Sequence, residues 1–161
     1  MSQALIKGFS FDSIEIGQRA EFSKQLTSEI VDMFAAVSGD LNPVHLDADY
    51  ASQTDFGERI GHGVWVASVI SASLAMALPG PGSIYRSQQI RFKAPVFIGD
   101  TVTVKLEVTN KKARSRLVEL ECRVLNQDDK LVAQGVAEVI APQEAVSVEQ
   151  PDCPVFHRAD T

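Results

Sequence analysis

A carboxylate and an imidazole lie five positions apart in residues 39–45, which read Gly-Asp-Leu-Asn-Pro-Val-His. Aspartate and histidine side chains ordinarily have pKa values of about 3.9 and about 6.5, so one is ionised at neutral pH while the other can gain or lose a proton. Two such groups on one turn can take a proton and return it without a metal or a cofactor. The segment therefore predicts an acid–base pair formed by Asp40 and His45. The alternative is an ordinary turn, because Gly-Asp and Asn-Pro are common turn sequences.

A second candidate element is Gly61-His62-Gly63, which is followed at once by residues 64–78, a run without charge. Backbone N–H groups at the N-terminus of a helix stabilise a developing negative oxygen, and a glycine leaves room for a ligand to approach. We therefore predict that the N–H of Gly63 serves as an oxyanion donor, with a simple helix start as the alternative. We interpret His62 as a residue that positions this loop rather than one that transfers protons.

The elements that must position these residues can be predicted from the apolar pattern. Residues 64–78 are apolar on every side, which is typical of a buried helix. At about 22 Å such a helix is too short for a bilayer core of about 30 Å. Because Asn-Pro disfavours helix at Asn42, residues 39–45 are predicted to form a loop. Further helices are predicted at residues 28–37 and 47–51.

The remaining pattern is that of strands. Residues 102–108 and 118–124 alternate apolar and polar side chains, which indicates strands with one buried face. Further strands are predicted at residues 19–26, 83–93 and 131–140. The predicted fold class is α+β, an antiparallel sheet wrapped around one long central hydrophobic helix. Residues 1–141 form the predicted domain, and residues 142–161, with three prolines and no period, are predicted to be a poorly ordered tail.

Composition excludes several classes of function. A chain of 161 residues suits one domain, and its net charge of −6 disfavours nucleic acid and anionic membrane surfaces as partners. Cys122 and Cys153 have neither metal-binding nor redox spacing, and the other potential ligands are scattered, so we expect no metal. The first residues lack the pattern of a secretory signal, so we expect the protein in the cytoplasm.

These motifs together resemble the MaoC-like, R-specific enoyl-CoA hydratases of the hot-dog fold. The resemblance covers about residues 9–141 and rests on residues 11–17, 39–45, 61–63, 78–82, 91–92 and 95–100. It implies a hot-dog homodimer that hydrates trans-2-enoyl-CoA to (R)-3-hydroxyacyl-CoA and also catalyses the reverse dehydration. It also implies that Asp40 and His45 are the catalytic pair and that Gly63 binds the thioester carbonyl. The coenzyme A thioester is then the substrate, and no cofactor is expected.

Four further residues are candidates for substrate binding. Asn42 could orient the Asp40 carboxylate through its amide, or could only initiate the turn. Ser71 and Leu74 share one face of the predicted helix and could form the floor of an acyl pocket, with Val139 on the last strand. The alternative for these three residues is packing in the core.

Other functions stay open at this point. The same chemistry could act on an acyl carrier protein, as in a 3-hydroxyacyl-[acyl-carrier-protein] dehydratase. A hot-dog acyl thioesterase would need a carboxylate aimed at the thioester carbon and has no use for the Asn-Pro loop. A non-catalytic protein that binds acyl thioesters is disfavoured by the intact Asp-His pair.

Overall fold

The structure, a computed structural model, describes residues 4–156. The helices are α1 (Ser28–Ser38), α2 (Pro43–Leu46), α3 (Ala48–Ser52) and α4 (Gly63–Met76). The strands are β1 (Leu5–Gly8), β2 (Arg19–Gln25), β3 (Ile84–Phe92), β4 (Thr101–Lys112), β5 (Leu117–Leu125), β6 (Leu131–Ile140) and β7 (Val146–Glu149). All five predicted strands and the helices predicted at residues 28–37, 47–51 and 64–78 are present within a few residues of their expected bounds.

One five-stranded antiparallel sheet carries the fold. Its strand order is β2-β4-β5-β6-β3, so β2 and β3 are the edge strands. Alternate residues of the central strands face inward and are buried, among them Val104, Leu120, Cys122 and Ala137. The alternation predicted for β4 and β5 thus identifies their buried face correctly. The predicted α+β hot-dog fold class is confirmed.

Helix α4 packs its apolar side against the inner face of this sheet. Six of its residues are buried: Trp65, Val66, Val69, Ile70, Ser73 and Leu74. Its first two residues are exposed, Val64 by 64%. The prediction of a helix buried on every side is therefore wrong for the side on which Val64, Ser68 and Ala75 are exposed.

The Asn-Pro pair begins a short helix instead of breaking one. Asn42 is the N-cap of α2, and its side-chain oxygen accepts a hydrogen bond from the N–H of Val44 at 3.3 Å. Pro43 occupies the first helical position, where its missing N–H costs nothing. The predicted loop is thus wrong over residues 43–45, because the restriction before proline applies to Asn42 alone.

A segment near each end of the described residues contributes one strand to a small second sheet. Strand β1 pairs with β7 from Leu5 opposite Glu149 to Gly8 opposite Val146. A tail without regular structure was therefore the wrong expectation for Val146–Glu149. Each of these strands has only four residues, too few for a clear alternation of apolar and polar side chains, and its partner lies about 140 positions away in the sequence. The last part of the predicted tail, residues 157–161, lies outside the described residues.

No helix within residues 4–156 is both long enough and apolar enough to cross a membrane.

Candidate active site

The carboxylate of Asp40 is held by the turn that ends α1. Gly39 caps the helix with φ of 78°, a left-handed conformation that glycine adopts readily, and its N–H donates to the carbonyl of Ala35 at 2.9 Å. The N–H of Asn42 donates to Oδ1 of Asp40 at 3.2 Å. The side chain of Asp40 remains 53% exposed, so the other carboxylate oxygen is open to a ligand.

The imidazole of His45 is buried on α2 and fixed by one hydrogen bond. Its Nδ1 lies 2.9 Å from the carbonyl oxygen of Ile60. A carbonyl oxygen only accepts, so Nδ1 carries the proton and Nε2 is free. Nε2 lies 3.9 Å from Oδ2 of Asp40, so the structure brings the predicted pair together.

The gap between Asp40 and His45 suits a water molecule. A separation of 3.9 Å is too long for a direct hydrogen bond. A single water oxygen can lie about 2.8 Å from both atoms and bridge them. Such a water would have a carboxylate on one side and an imidazole on the other, as general acid–base catalysis requires.

Gly63 is the first residue of α4, so its backbone N–H has no acceptor in the helix. A Cβ atom built on Gly63 would lie 3.6 Å from the ring of Phe92, an ordinary contact distance. Packing alone therefore does not require glycine at this position. The role of Gly63 as an oxyanion donor stays a prediction.

His62 contacts both members of the pair. Its ring stacks on that of His45 with centroids 3.8 Å apart, and its Nε2 lies 3.0 Å from the carbonyl oxygen of Asp40. His62 is 3% exposed. These contacts agree with its interpretation as a positioning residue.

The sequence analysis described the potential metal ligands as scattered, but three of them lie together in the structure. Asp40, His45 and His62 each offer one ligand atom within 4.8 Å of the others. In each imidazole one ring nitrogen is engaged by a backbone carbonyl, of Ile60 for His45 and of Asp40 for His62. One nitrogen per ring therefore remains to bind a proton or a ligand.

Arg59 is part of the site, and the sequence reasoning missed it. Its Nε donates to the carbonyl of His45 at 2.6 Å, and its Nη2 pairs with Asp32 at 2.9 Å. Its Nη1 donates to the hydroxyl of Ser28 at 3.2 Å. Arg59 thereby links α1 to α2, although no spacing in the sequence connects it with Asp32 or His45.

The candidate substrate-binding residues lie in different environments. Asn42 uses its side chain to cap α2, while its backbone N–H contacts the Asp40 carboxylate. Leu74 and Val139 belong to the buried core, with exposed fractions of 2% and 0%, and Ser71 is half-buried on α4. Their role in an acyl pocket stays a prediction.

A groove of about 590 Å³ opens along α1. It is lined by Glu29, Asp32, Met33, Ala35, Ala36, Leu41, Leu46, Arg59 and Phe156. None of the predicted site residues belongs to this lining.

Known proteins resemble this chain along most of its length. The MaoC-like domain family matches residues 11–129. The (R)-specific enoyl-CoA hydratase of Aeromonas caviae is 43% identical over 133 residues, which cover 83% of this chain and 99% of that protein. The 3-hydroxybutyryl-CoA dehydratase of Methylorubrum extorquens is 42% identical over 134 residues, 83% of this chain and 85% of that protein.

A solved structure extends the similarity to the whole fold. The R-hydratase PhaJ1 of Pseudomonas aeruginosa, in its unliganded form, is 44% identical and superposes with a TM-score of 0.93. The match covers 97% of this chain and 100% of that one. With the family match and these relatives, the chain belongs to the MaoC-like family of hot-dog enzymes.

Proposed function

We propose that the protein hydrates trans-2-enoyl-CoA to (R)-3-hydroxyacyl-CoA and catalyses the reverse dehydration. The observation that carries this proposal is the 3.9 Å gap between Asp40 Oδ2 and His45 Nε2, beside the N-terminus of α4. The similarity to an (R)-specific enoyl-CoA hydratase and a 3-hydroxybutyryl-CoA dehydratase supports the same reaction.

The reaction begins with polarisation of the thioester. Its carbonyl oxygen accepts a hydrogen bond from the N–H of Gly63, so electron density is drawn from C3 and negative charge can develop on that oxygen. The positive end of the α4 dipole points in the same direction and adds to the stabilisation.

Water is then added across the double bond. The water between Asp40 and His45 attacks C3 as one member of the pair takes its proton. The electrons of the double bond move towards the thioester. The proton taken from the water passes to the other member of the pair, which delivers it to C2, so both groups return to their starting state.

The test uses crotonyl-CoA with two simultaneous readouts. Hydration removes the absorbance of the enoyl band without releasing free thiol, and the product is (R)-3-hydroxybutyryl-CoA by chiral chromatography. Release of thiol would instead identify a thioesterase, and absence of any change would contradict catalysis on this substrate.

The choice between coenzyme A and an acyl carrier protein is tested with crotonyl groups on both carriers. Carrier proteins are usually acidic, and a chain of net charge −6 has no overall attraction for them. We therefore expect a higher kcat/KM for crotonyl-CoA. A higher value for the carrier-bound substrate would assign the protein as a carrier-protein dehydratase.

The proposed reaction uses no metal or other cofactor. The cluster of Asp40, His45 and His62 makes a direct test necessary, because imidazole and carboxylate are also metal ligands. Dialysis against a chelator should leave the turnover of crotonyl-CoA unchanged. A loss of activity that added Zn²⁺ restores would contradict the metal-free mechanism.

The protein is further proposed to form a homodimer through β3. Within residues 4–156, this edge strand pairs with β6 on one side, and three large apolar residues on it are exposed: Ile84 by 62%, Tyr85 by 38% and Phe92 by 49%. An unpaired apolar edge favours pairing with another strand. Light scattering at micromolar concentration should give the mass of a dimer.

A matched pair of variants locates the interface. Ile84→Lys places a charge on the edge strand and should weaken the dimer, whereas Ile16→Lys, at a residue 66% exposed and away from β3, should not. A monomeric wild-type protein that hydrates enoyl-CoA would contradict the dimer.

We place the protein in the cytoplasm. Both of its cysteines are free thiols, Cys122 buried and Cys153 exposed, which suits a reducing compartment. Cell fractionation with the tagged full-length chain tests this assignment.

A further inference from the structure

Residues 59–62, which lie directly before α4, contact both members of the Asp40–His45 pair. Arg59 donates from Nε to the carbonyl of His45 at 2.6 Å, and His62 donates from Nε2 to the carbonyl of Asp40 at 3.0 Å. Between them, the carbonyl of Ile60 accepts from Nδ1 of His45 at 2.9 Å. We call residues 59–62 the clamp segment.

The clamp segment is itself anchored to the body of the protein. The N–H of Gly61 donates to the carbonyl of Val96 at 2.8 Å, and Ile60 forms a bridge with Phe97. A Cβ atom on Gly61 would lie 2.6 Å from the side chain of Leu26, so the segment lies close against the core. These contacts hold the clamp segment in place, and with it the hydrogen bonds that it makes to Asp40 and His45.

The Asp40 turn, by contrast, lies at the surface. The Asp40 side chain is 53% exposed and Leu41 is 65% exposed. The hydrogen bonds that the turn makes with itself are local, from the N–H of Asp40 to the Ser38 hydroxyl and from the N–H of Asn42 to Asp40 Oδ1. The bond to His62 is the contact that ties Asp40 to a residue 22 positions away.

We propose that Arg59 and His62 are positioning residues that set the gap between the catalytic carboxylate and imidazole. They do so by holding the main-chain carbonyls of His45 and Asp40, one each. The proposal rests on the proposed hydration, because the gap must hold a water in reach of both groups. An error of about 1 Å in such a gap can cost about 10²-fold in rate.

His62 has this role because its one donor is committed. A carbonyl oxygen only accepts, so the bond to Asp40 places the proton on Nε2 of His62. Its Nδ1 is buried and has no hydrogen-bond partner among the described residues. His62 therefore acts on the reaction through the Asp40 main chain and by stacking on His45, and not by proton transfer to the substrate.

Two variants of His62 separate the hydrogen bond from the ring. A glutamine side chain can place its amide nitrogen where Nε2 lies, whereas an asparagine reaches only the position of Nδ1. His62→Asn should lower kcat for crotonyl-CoA by about 10²-fold with a much smaller change in KM. His62→Gln loses the stacked ring but keeps the hydrogen-bond donor, so its kcat should be about a tenth of the wild-type value or higher.

Arg59 is tested with a variant that lacks the guanidinium group but keeps the positive charge. A lysine retains an attraction to Asp32 but cannot reproduce the planar set of donors that reaches His45 and Ser28 together. Arg59→Lys should lower kcat about tenfold, again with little change in KM. Because both residues act on one gap, the double variant with His62→Asn should lose less than the product of the two single losses.

The control is Arg19→Lys, at an arginine that is exposed on β2 and paired with Glu107. It should leave kcat and KM unchanged. The melting temperature of each variant is measured alongside, so that a folding defect is recognised.

An independent readout does not require activity. The ring ¹⁵N signals of His62 in the folded wild-type protein should show a protonated Nε2 and a bare Nδ1, and His45 should show the reverse. A bare Nε2 on His62 would overturn the clamp even if His62→Asn failed to fold.

The remaining outcomes are equally distinct. If wild-type protein does not hydrate crotonyl-CoA, the proposed function fails, and the ¹⁵N signals still decide the clamp geometry. If wild-type protein is active but His62→Asn and Arg59→Lys keep the wild-type kcat, the clamp is overturned and the function stands. If His62→Gln is as inactive as an Asp40 variant, the hydrogen bond to the Asp40 carbonyl does not set the gap and the proposal is overturned.

Discussion

The two ends of helix α4 differ in what surrounds them. At the N-terminal end Gly63 is open to solvent and Val64 is 64% exposed, while the preceding ring of His62 contacts the acid–base pair. Towards the C-terminal end Ser73 and Leu74 are 0% and 2% exposed inside the core. Gly63 and Val64 thus leave the start of the helix open to a ligand, whereas Ser73 and Leu74 pack in the core. Changes at the first end should affect rate, and changes at the second should affect stability.

The largest effect is expected at the pair that faces the N-terminal end. Asp40→Asn and His45→Gln should each lower kcat for crotonyl-CoA by about 10²–10⁴-fold, because each removes a positioned proton-transfer group. The melting temperature should change little for Asp40, whose side chain is 53% exposed. Asp49→Asn, at a carboxylate on α3, is the control. Wild-type turnover in a folded Asp40→Asn protein would remove Asp40 from the mechanism.

A smaller loss of rate is expected when the N–H of Gly63 is blocked. Gly63→Val should lower kcat by about 10²–10³-fold, the usual effect of losing one oxyanion donor. A new Cβ would lie an ordinary 3.6 Å from the Phe92 ring, so we expect a smaller effect on the melting temperature, which is measured alongside, than on turnover. Ala75→Val, at an exposed position later in α4, serves as the control. Unchanged turnover and unchanged melting would exclude Gly63 as the oxyanion donor.

At the packed end the expectation is reversed. Leu74→Ala should destabilise the fold by about 2–5 kcal/mol, because Leu74 is 2% exposed and its removal leaves a cavity. Leu5→Ala, at a leucine 60% exposed, should cost much less. Chemical denaturation measures both variants.

The same Leu74 variant decides between core and acyl pocket. If Leu74 only packs, the ratio of kcat/KM between four-carbon and eight-carbon substrates stays at the wild-type value. A shift towards the longer chain with a modest loss of stability would place Leu74 in the pocket and break the comparison between the two ends.

The smallest effect is expected for the thiols. Burial raises the pKa of Cys122, on the inner face of the sheet, to about 12, so almost none of it is thiolate at pH 8. Iodoacetamide at that pH should label the exposed Cys153 in the folded protein and both cysteines after denaturation. Mass spectrometry counts the labels. Rapid labelling of Cys122 in the folded state would show that the region packed against α4 opens readily.

Local patterns determined much of this protein. The period of two located β4 and β5, and the uncharged run at residues 64–78 located α4 within a few residues, because alternating or uninterrupted apolar side chains indicate which faces of an element are buried. The motif at residues 39–45 placed Asp40 and His45 on one turn, and the structure brings them within 3.9 Å. Both results need only information carried by neighbouring residues.

Tertiary structure alone decided the contacts between distant segments. Strand β1 pairs with β7 only because segments near the two ends of the described residues meet, and Arg59 finds Asp32 and His45 only because α1, α2 and the segment before α4 pack together. The same packing stacks His62 on His45 and leaves Gly63 and Val64 exposed at the start of α4. No short-range pattern in the sequence predicts such contacts, because the residues that form them are far apart along the chain and become neighbours only in the folded protein.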